Sequence, residues 1–241
     1  MSLRKTYNIA SSSAASFWRG TSGSRVLSSS LHHNKPKENI VLYQKESCPW
    51  SRKVREAFSM LDLDANIKPC PIEGTKYRPE LKQMGGKEQD PNTKASMYES
   101  KDIIDYVFDH YGPGKDQVPS SIQDTYTSTG LSRMSTLMRA MPWNGLIQYK
   151  GDTATSAATL IPSKITSEPH DVKPKMPEIN KPIHLYSFEN SPYCRIVREA
   201  LDVLELPYTV HNVAQGSSKR KMFVSLSGKM QCEELYNLFH K

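Results

Sequence analysis

Two stretches of the chain carry the same hydrophobic frame. Residues 40–44, Ile-Val-Leu-Tyr-Gln, form a short apolar run rich in β-formers. From Pro49 to Leu63 the apolar residues Val54, Ala57, Phe58 and Leu61 recur at i, i+3, i+4 and i+7, the spacing of a helix with one buried face. Pro49 suits the first turn of that helix, where its missing N–H has no partner to lose. The frame returns 143 positions later as Ile183-His184-Leu185-Tyr186, a turn and a second helical pattern. Residues 40–63 and 183–206 share 12 identities in 24 positions, including the whole Val-Arg-Glu-Ala string, so the chain carries an internal duplication.

Further elements follow each copy. Asn66–Ile72 predicts a strand, Arg78–Met84 a helix closed by Gly85-Gly86, and Met97-Tyr98 the end of another strand. Ser100–Tyr111 predicts a helix with Ile103, Ile104, Val107 and Phe108 on its buried face. This order within one short span is that of a small α/β domain. After the second copy come a strand over Pro207–Val213 and a helix over Ser218–Leu226; Leu235, Leu238 and Phe239 then sit at helical spacing. Between the copies, Leu131, Met134, Leu137, Met138 and Met141 form an apolar stripe. It suits a helix docked on a neighbouring domain, with a membrane-surface helix as the alternative. Residues 151–182 are rich in Ser, Thr and Pro, the composition of a linker. The expected organisation is a leader over 1–37, a first domain over 38–115, a helical and then Pro/Ser/Thr-rich linker over 116–181, and a truncated second domain over 182–241.

Charge changes this picture at the N-terminus. A formal charge of +7 and an isoelectric point of 9.1 suggest a polyanionic partner until the charge is located. Residues 1–37 hold six of the 32 Lys and Arg (Arg4, Lys5, Arg19, Arg25, Lys35, Lys37) and no acid, leaving 26 basic against 25 acidic groups elsewhere. No broad basic surface for nucleic acid is then expected. The Ser- and Arg-rich leader has no long apolar core and reads as an organelle transit peptide, mitochondrial first, with a plastid address as the alternative. Arg25-Val26-Leu27-Ser28 resembles a mitochondrial processing site; the other reading is a disordered tail. No run approaches the roughly 18 apolar residues of a membrane span.

The turns between strand and helix carry the candidate chemistry. Ser47-Cys48-Pro49-Trp50-Ser51, with Tyr98-Glu99-Ser100 ahead of a later helix, resembles the glutaredoxin-like N-terminal domain of glutathione S-transferases. The tandem arrangement, with Ser191-Pro192-Tyr193-Cys194-Arg195 in the second copy, resembles a plant and algal family of duplicated domains of this kind. The resemblance implies tandem thioredoxin-like α/β domains and glutathione as cosubstrate. It carries catalytic roles onto Cys48 and Ser51, and glutathione contacts onto Pro49, Trp50, Glu99 and Ser100. Two departures stand against the family pattern. Gly85-Gly86-Lys87-Glu88-Gln89 passes directly to Asp90-Pro91-Asn92-Thr93, so the third strand and its cis-proline are expected to be missing from the first copy. The second copy is expected to stop after β-α-β-α. Pro91 is no substitute for the cis-proline, because its neighbours match the hairpin turn that follows that strand.

The residues support part of this on their own. Cys48 lies where a strand hands over to a helix N-terminus, and unpaired N–H groups and the helix dipole there favour an anion, hence the thiolate. Lys45 and Arg52 add positive charge, and the Ser51 hydroxyl can donate to the sulfur. A single thiol cannot close a disulfide within its own turn, so its accessible chemistry is a mixed disulfide with glutathione, resolved by a second glutathione. The alternative is a cysteine that only packs. Ser191 at the matching position can bond a glutathione thiolate or cap its helix. Cys194, without a thiol at 191, is expected to pack as a small residue. Ser100 can hold glutathione with Glu99 or cap the following helix. Cys70 and Cys232 carry no motif, and the isolated His110, His184 and His211 suggest no metal site.

Three functions follow as expectations. The first is a glutathione-dependent thiol–disulfide oxidoreductase or transferase-like enzyme using Cys48. The second is a non-catalytic thioredoxin-fold module that binds glutathione or a glutathionylated protein. The third is an incomplete isoform without activity. The turn favours the first; the missing strand favours the others. Residues 182–241, as half a domain, are expected to be marginal alone and ordered only when docked.

Overall fold

The computed structural model describes residues 3–71, 74–85, 88–140 and 182–227. The linker over 151–181, Met141, Cys232 and the C-terminal apolar triplet lie outside the described residues. The elements are α1 (Leu3–Trp18), β1 (Ile40–Gln44), α2 (Pro49–Met60), β2 (Ala65–Pro69), α3 (Arg78–Gln83), β3 (Glu88–Gln89), β4 (Ser96–Met97), α4 (Ser100–Tyr111) and α5 (Tyr126–Ala140). They continue with β5 (Ile183–Ser187), α6 (Pro192–Val203), β6 (Tyr208–Asn212) and α7 (Arg220–Ser227). No helix of the described residues is long and apolar enough to cross a membrane.

All six strands join one sheet in the order β4-β3-β1-β2-β6-β5. β1 runs parallel to β2, and β5 to β6, as a strand–helix–strand crossover requires. β3 lies antiparallel beside β1, with Gln89 opposite Val41, and β4 closes the edge. The expectation of a missing third strand is therefore corrected: a strand occupies that place between the first and the fourth, shortened to two residues. Two residues cannot display an alternation, so the pattern that reveals strands had nothing to act on. No described peptide bond is cis.

The second copy does not build a separate layer. β6 pairs antiparallel with β2, and Leu42, Phe58, Leu61 and Ile67 share one apolar cluster with Leu185, Val197, Leu201 and Tyr208. This supplies the docking that half a domain needs. The pairing register is Ala65 with Val210, Asn66 with Thr209 and Ile67 with Tyr208. Since equivalent residues of the copies differ by 143, Asn66 faces its own equivalent, and an internal two-fold axis passes between them. Thr209 Oγ1 donates to Asn66 Oδ1 there at 2.9 Å.

The same axis organises a layer of helices over the sheet. α5 lies against α2, α1 lies against α6, and α1 and α5 lie against each other. The buried residues of α1 and its end are Asn8, Ser12, Ala15, Ser16 and Arg19; those of α5 are Ser128, Ser132, Ser135 and Arg139, which lie 120 positions beyond Asn8, Ser12, Ala15 and Arg19. Their contacts correspond pair by pair. Ser132 Oγ donates to Pro49 O and Ser12 Oγ to Pro192 O, both at 2.7 Å. Arg19 forks onto Glu56, and Arg139 onto Glu199, the same residue of the other copy. The remaining Nη1 donors bond Ser128 O at 3.1 Å and Asn8 O at 3.0 Å.

Two sequence expectations meet a different outcome here. The leader's alternative reading, a disordered tail, is corrected: the segment contains the folded helix α1, and the strand-like stretch after it lies between the copies. Val26 N–H bonds Gln215 O and Leu27 N–H bonds Met60 O, both at 2.8 Å. Gly23, at φ +71°, passes so close that an added Cβ would lie 3.1 Å from Glu189 Cβ and Glu56 Cγ, and the left-handed backbone itself favours glycine. On α5 the apolar stripe is not the buried face: Leu131 is exposed and Met134, Leu137 and Met138 are half-buried, while the serines and Arg139 are sealed. Small polar residues let α1 and α5 approach closely. Hydropathy alone assigns such a face to solvent.

Candidate functional site

β1 delivers the first turn to the N-terminus of α2. Cys48 takes the N-cap position with extended backbone (φ −74°, ψ 122°), and its Sγ accepts the Ser51 N–H at 3.5 Å. Pro49 sits at the first helical position, as its ring requires. α5 braces the turn from outside: Thr136 Oγ1 donates to Ser47 O at 3.1 Å and Ser132 to Pro49 O. Arg52 N–H bonds back to Cys48 O at 3.1 Å.

Cys48 opens into a cavity of about 280 Å³. The walls include Trp50, Ser51, Val54, Leu81 and Tyr98, with Glu99 and Ser100 at the start of α4. The volume lies just under the lower end of small-ligand sites, about 300–1,000 Å³. Of the sequence-predicted residues, Cys48, Trp50, Ser51, Glu99 and Ser100 thus share one space; Pro49 turns its carbonyl to α5. The capping explanation for Glu99-Ser100 does not hold. Glu99 is the N-cap of α4 and makes no side-chain cap bond, while Ser100 is the first helical residue.

Four residues in or beside this site carried no sequence signal. Tyr43, on the wall, donates to Glu80 Oε1 at 2.7 Å and accepts from Lys68 Nζ at 2.8 Å. Burial raises its pKa above the usual phenol value, against the pull of Lys68. Arg133 on α5 stacks its guanidinium over the Trp50 ring, 5.4 Å from the centroid. An isolated arginine on a helix has no motif to betray such a contact.

The second turn is built alike and sealed. Ser191 caps α6, its Oγ accepting the Cys194 N–H at 3.3 Å. Ser191 and Cys194 are buried, Pro192 and Tyr193 half-buried, and Ser12 occupies the Pro192 carbonyl. Cys70 is buried as well, and neither it nor Cys48 nor Cys194 is in a disulfide. Among the described residues no cluster of three or more His, Cys, Asp or Glu could hold a metal ion.

Residues 42–115 and 185–229 match the family model described as glutathione S-transferase, N-terminal domain. With the mixed α/β sheet and the strand-to-helix turn, this match fits a thioredoxin-like fold similar, over those residues, to the glutathione S-transferase N-terminal domain. No curated protein and no solved structure matches the chain.

Proposed function

We propose that the protein is a glutathione-dependent thiol–disulfide oxidoreductase or transferase-like enzyme with Cys48 as its nucleophile. One observation carries the reading: a single cavity gathers Cys48, at a helix N-terminus, with Trp50, Ser51, Glu99 and Ser100. In the oxidoreductase form, the Cys48 thiolate attacks the glutathione sulfur of a glutathionylated protein. A new S–S bond joins Cys48 to glutathione, and the protein sulfur leaves as a thiolate and takes a proton. A second glutathione thiolate then attacks the mixed disulfide, releasing oxidised glutathione and the Cys48 thiolate. The fixed N–H groups at the start of α2 stabilise that thiolate in both steps. Glutathione thus serves as cosubstrate, held with its charged end toward Glu99 and Ser100.

The test is glutathione-driven reduction of a glutathionylated peptide by the full chain. The wild type should form oxidised glutathione and Cys48→Ser should fall to background. Turnover by Cys48→Ser at the wild-type rate sinks the assignment. A second reading rests on β3, which is two residues long and leaves no described cis peptide beside the cavity. It is a binding module without turnover, and it predicts that glutathione raises the melting temperature while no oxidised glutathione forms.

A further inference from the structure

Six arginines lie buried around the internal two-fold axis: Arg19, Arg52, Arg55, Arg139, Arg195 and Arg198. Four glutamates meet them. Arg19 pairs with Glu56 and Arg139 with Glu199. Arg55 forks onto Glu189 at 2.8 and 3.0 Å, and Arg198 reaches Glu46 at 3.1 Å and Glu189 at 3.0 Å. These pairs engage all four glutamates, with Glu46 Oε2 left without a hydrogen-bond partner; Arg195 has no ion pair to a described residue, and Arg52 has only a long one to Glu189. Arg52 and Arg195 are equivalent residues, one turn inside α2 and α6.

Both arginines are 1 % exposed. Arg52 makes no side-chain hydrogen bond to a described residue; its Nε stands 3.7 Å from Glu189 Oε1, and both Nε and Nη1 lack an acceptor. Arg195 Nη1 donates to Ser12 O at 2.8 Å, but its Nε lacks one too. Ser16, one turn beyond Ser12 on α1, adds a buried hydroxyl without a partner. Burial and the neighbouring Arg52 charge pull the Arg195 guanidinium down to about 9, which still leaves it charged at neutral pH. Two buried cations thus face a shortage of counter-charge and three orphaned N–H donors, a combination that folded proteins rarely leave uncompensated.

We propose that Arg52 and Arg195 hold a small inorganic anion, chloride in the cell, on the internal two-fold axis between the copies. Both residues are sealed from solvent, so the ligand proposed is a monatomic ion rather than a phosphorylated metabolite. The ion returns the helix layer toward neutrality and gives acceptors to the orphaned donors. The site is separate from the Cys48 cavity and does not rest on the glutathione reading.

The experiment measures the melting temperature of the full chain as sodium gluconate is replaced by sodium chloride or bromide at constant ionic strength. A bound ion raises it with the logarithm of halide concentration. Arg52→Met removes one of the two surplus cations, so its halide-dependent rise should vanish, leaving only the general salt effect. Equal melting temperatures of the wild type in gluconate, chloride and bromide overturn the proposal, as does an undiminished rise in Arg52→Met. Should that variant not fold, crystals of the wild type grown in bromide decide. An anomalous peak between the two guanidinium groups supports the site, and its absence refutes it.

Discussion

At the scale of single residues, Cys48 and Ser191 show how one frame serves two ends. Each caps its helix through the N–H three residues on, yet Cys48 opens to a cavity and Ser191 is covered. Exposure separates them; chemistry alone did not. The charged residues behind the turns matter equally. Asp202 on α6 is buried, and burial together with Glu46 pushes its carboxyl up to about 7 from an ordinary value of 3.8. Its folded pKa is raised, so its contribution to stability is fully present below pH 3.8 and is lost as the pH rises through 7. At about 1.4 kcal/mol per unit, Asp202→Asn should be more stable than the wild type at pH 8, with the difference vanishing near pH 4. Urea unfolding at the two pH values checks this; parallel pH slopes for the two proteins would rule it out. The Val-Arg-Glu-Ala string was plain in the sequence as an identity. That its arginines meet Glu46 and Glu189 across an axis, while its glutamates meet Arg19 and Arg139, was not, because charged residues are ordinarily assigned to the surface.

At the scale of elements, the strands and helices with regular apolar spacing were legible: β1, α2, β2, α3, α4 and their counterparts β5, α6, β6 and α7 lie close to where the periodicity put them. β3 was too short to read, and β4 showed only as a strand end at Met97-Tyr98. The packing of α1 and α5 was invisible for another reason, since their buried faces are serines and arginine, satisfied by specific bonds that no hydropathy pattern encodes. α1 is nevertheless integral. Arg19→Ala leaves the Glu56 carboxylate buried with only Ser22 Oγ, at 2.9 Å, as a remaining side-chain partner. We expect a loss of about 3–5 kcal/mol, read by chemical unfolding. A change under 1 kcal/mol would mean that α1 is dispensable. We propose that any organellar address in residues 1–37, mitochondrial or plastid, is read without cleavage after Leu27, because that cut would remove α1 from the helix layer. N-terminal sequencing of the cellular protein should find α1 retained; a chain beginning at Ser28 would overturn this.

At the scale of the whole molecule, β2 and β6 fuse two incomplete units into one sheet, and Glu189 ties the layer above it. Burial opposes its charge, yet Arg198, Arg55 and Arg52 hold its carboxyl at about 2, below the usual 4.5. Its folded pKa is depressed, so the stability it contributes is present above pH 4.5 and is lost as the pH falls towards 2. Glu189→Gln should cost about 3–5 kcal/mol at neutral pH. In hydrogen exchange, the amides of 183–212 should lose protection before those of 40–60, since the described second copy has no hairpin or outer helix of its own. Uniform loss across both copies would contradict this. The internal axis has one more consequence. Every contact that the second copy makes with the first is one that it could make equally with the first copy of another molecule, which is the geometry of a domain swap. Closure within one chain prevails through the effective concentration that residues 141–181 set. Shortening that segment below the span it must bridge should convert monomers into exchanged dimers with the same sheet, a transition that light scattering would register as a doubling of mass.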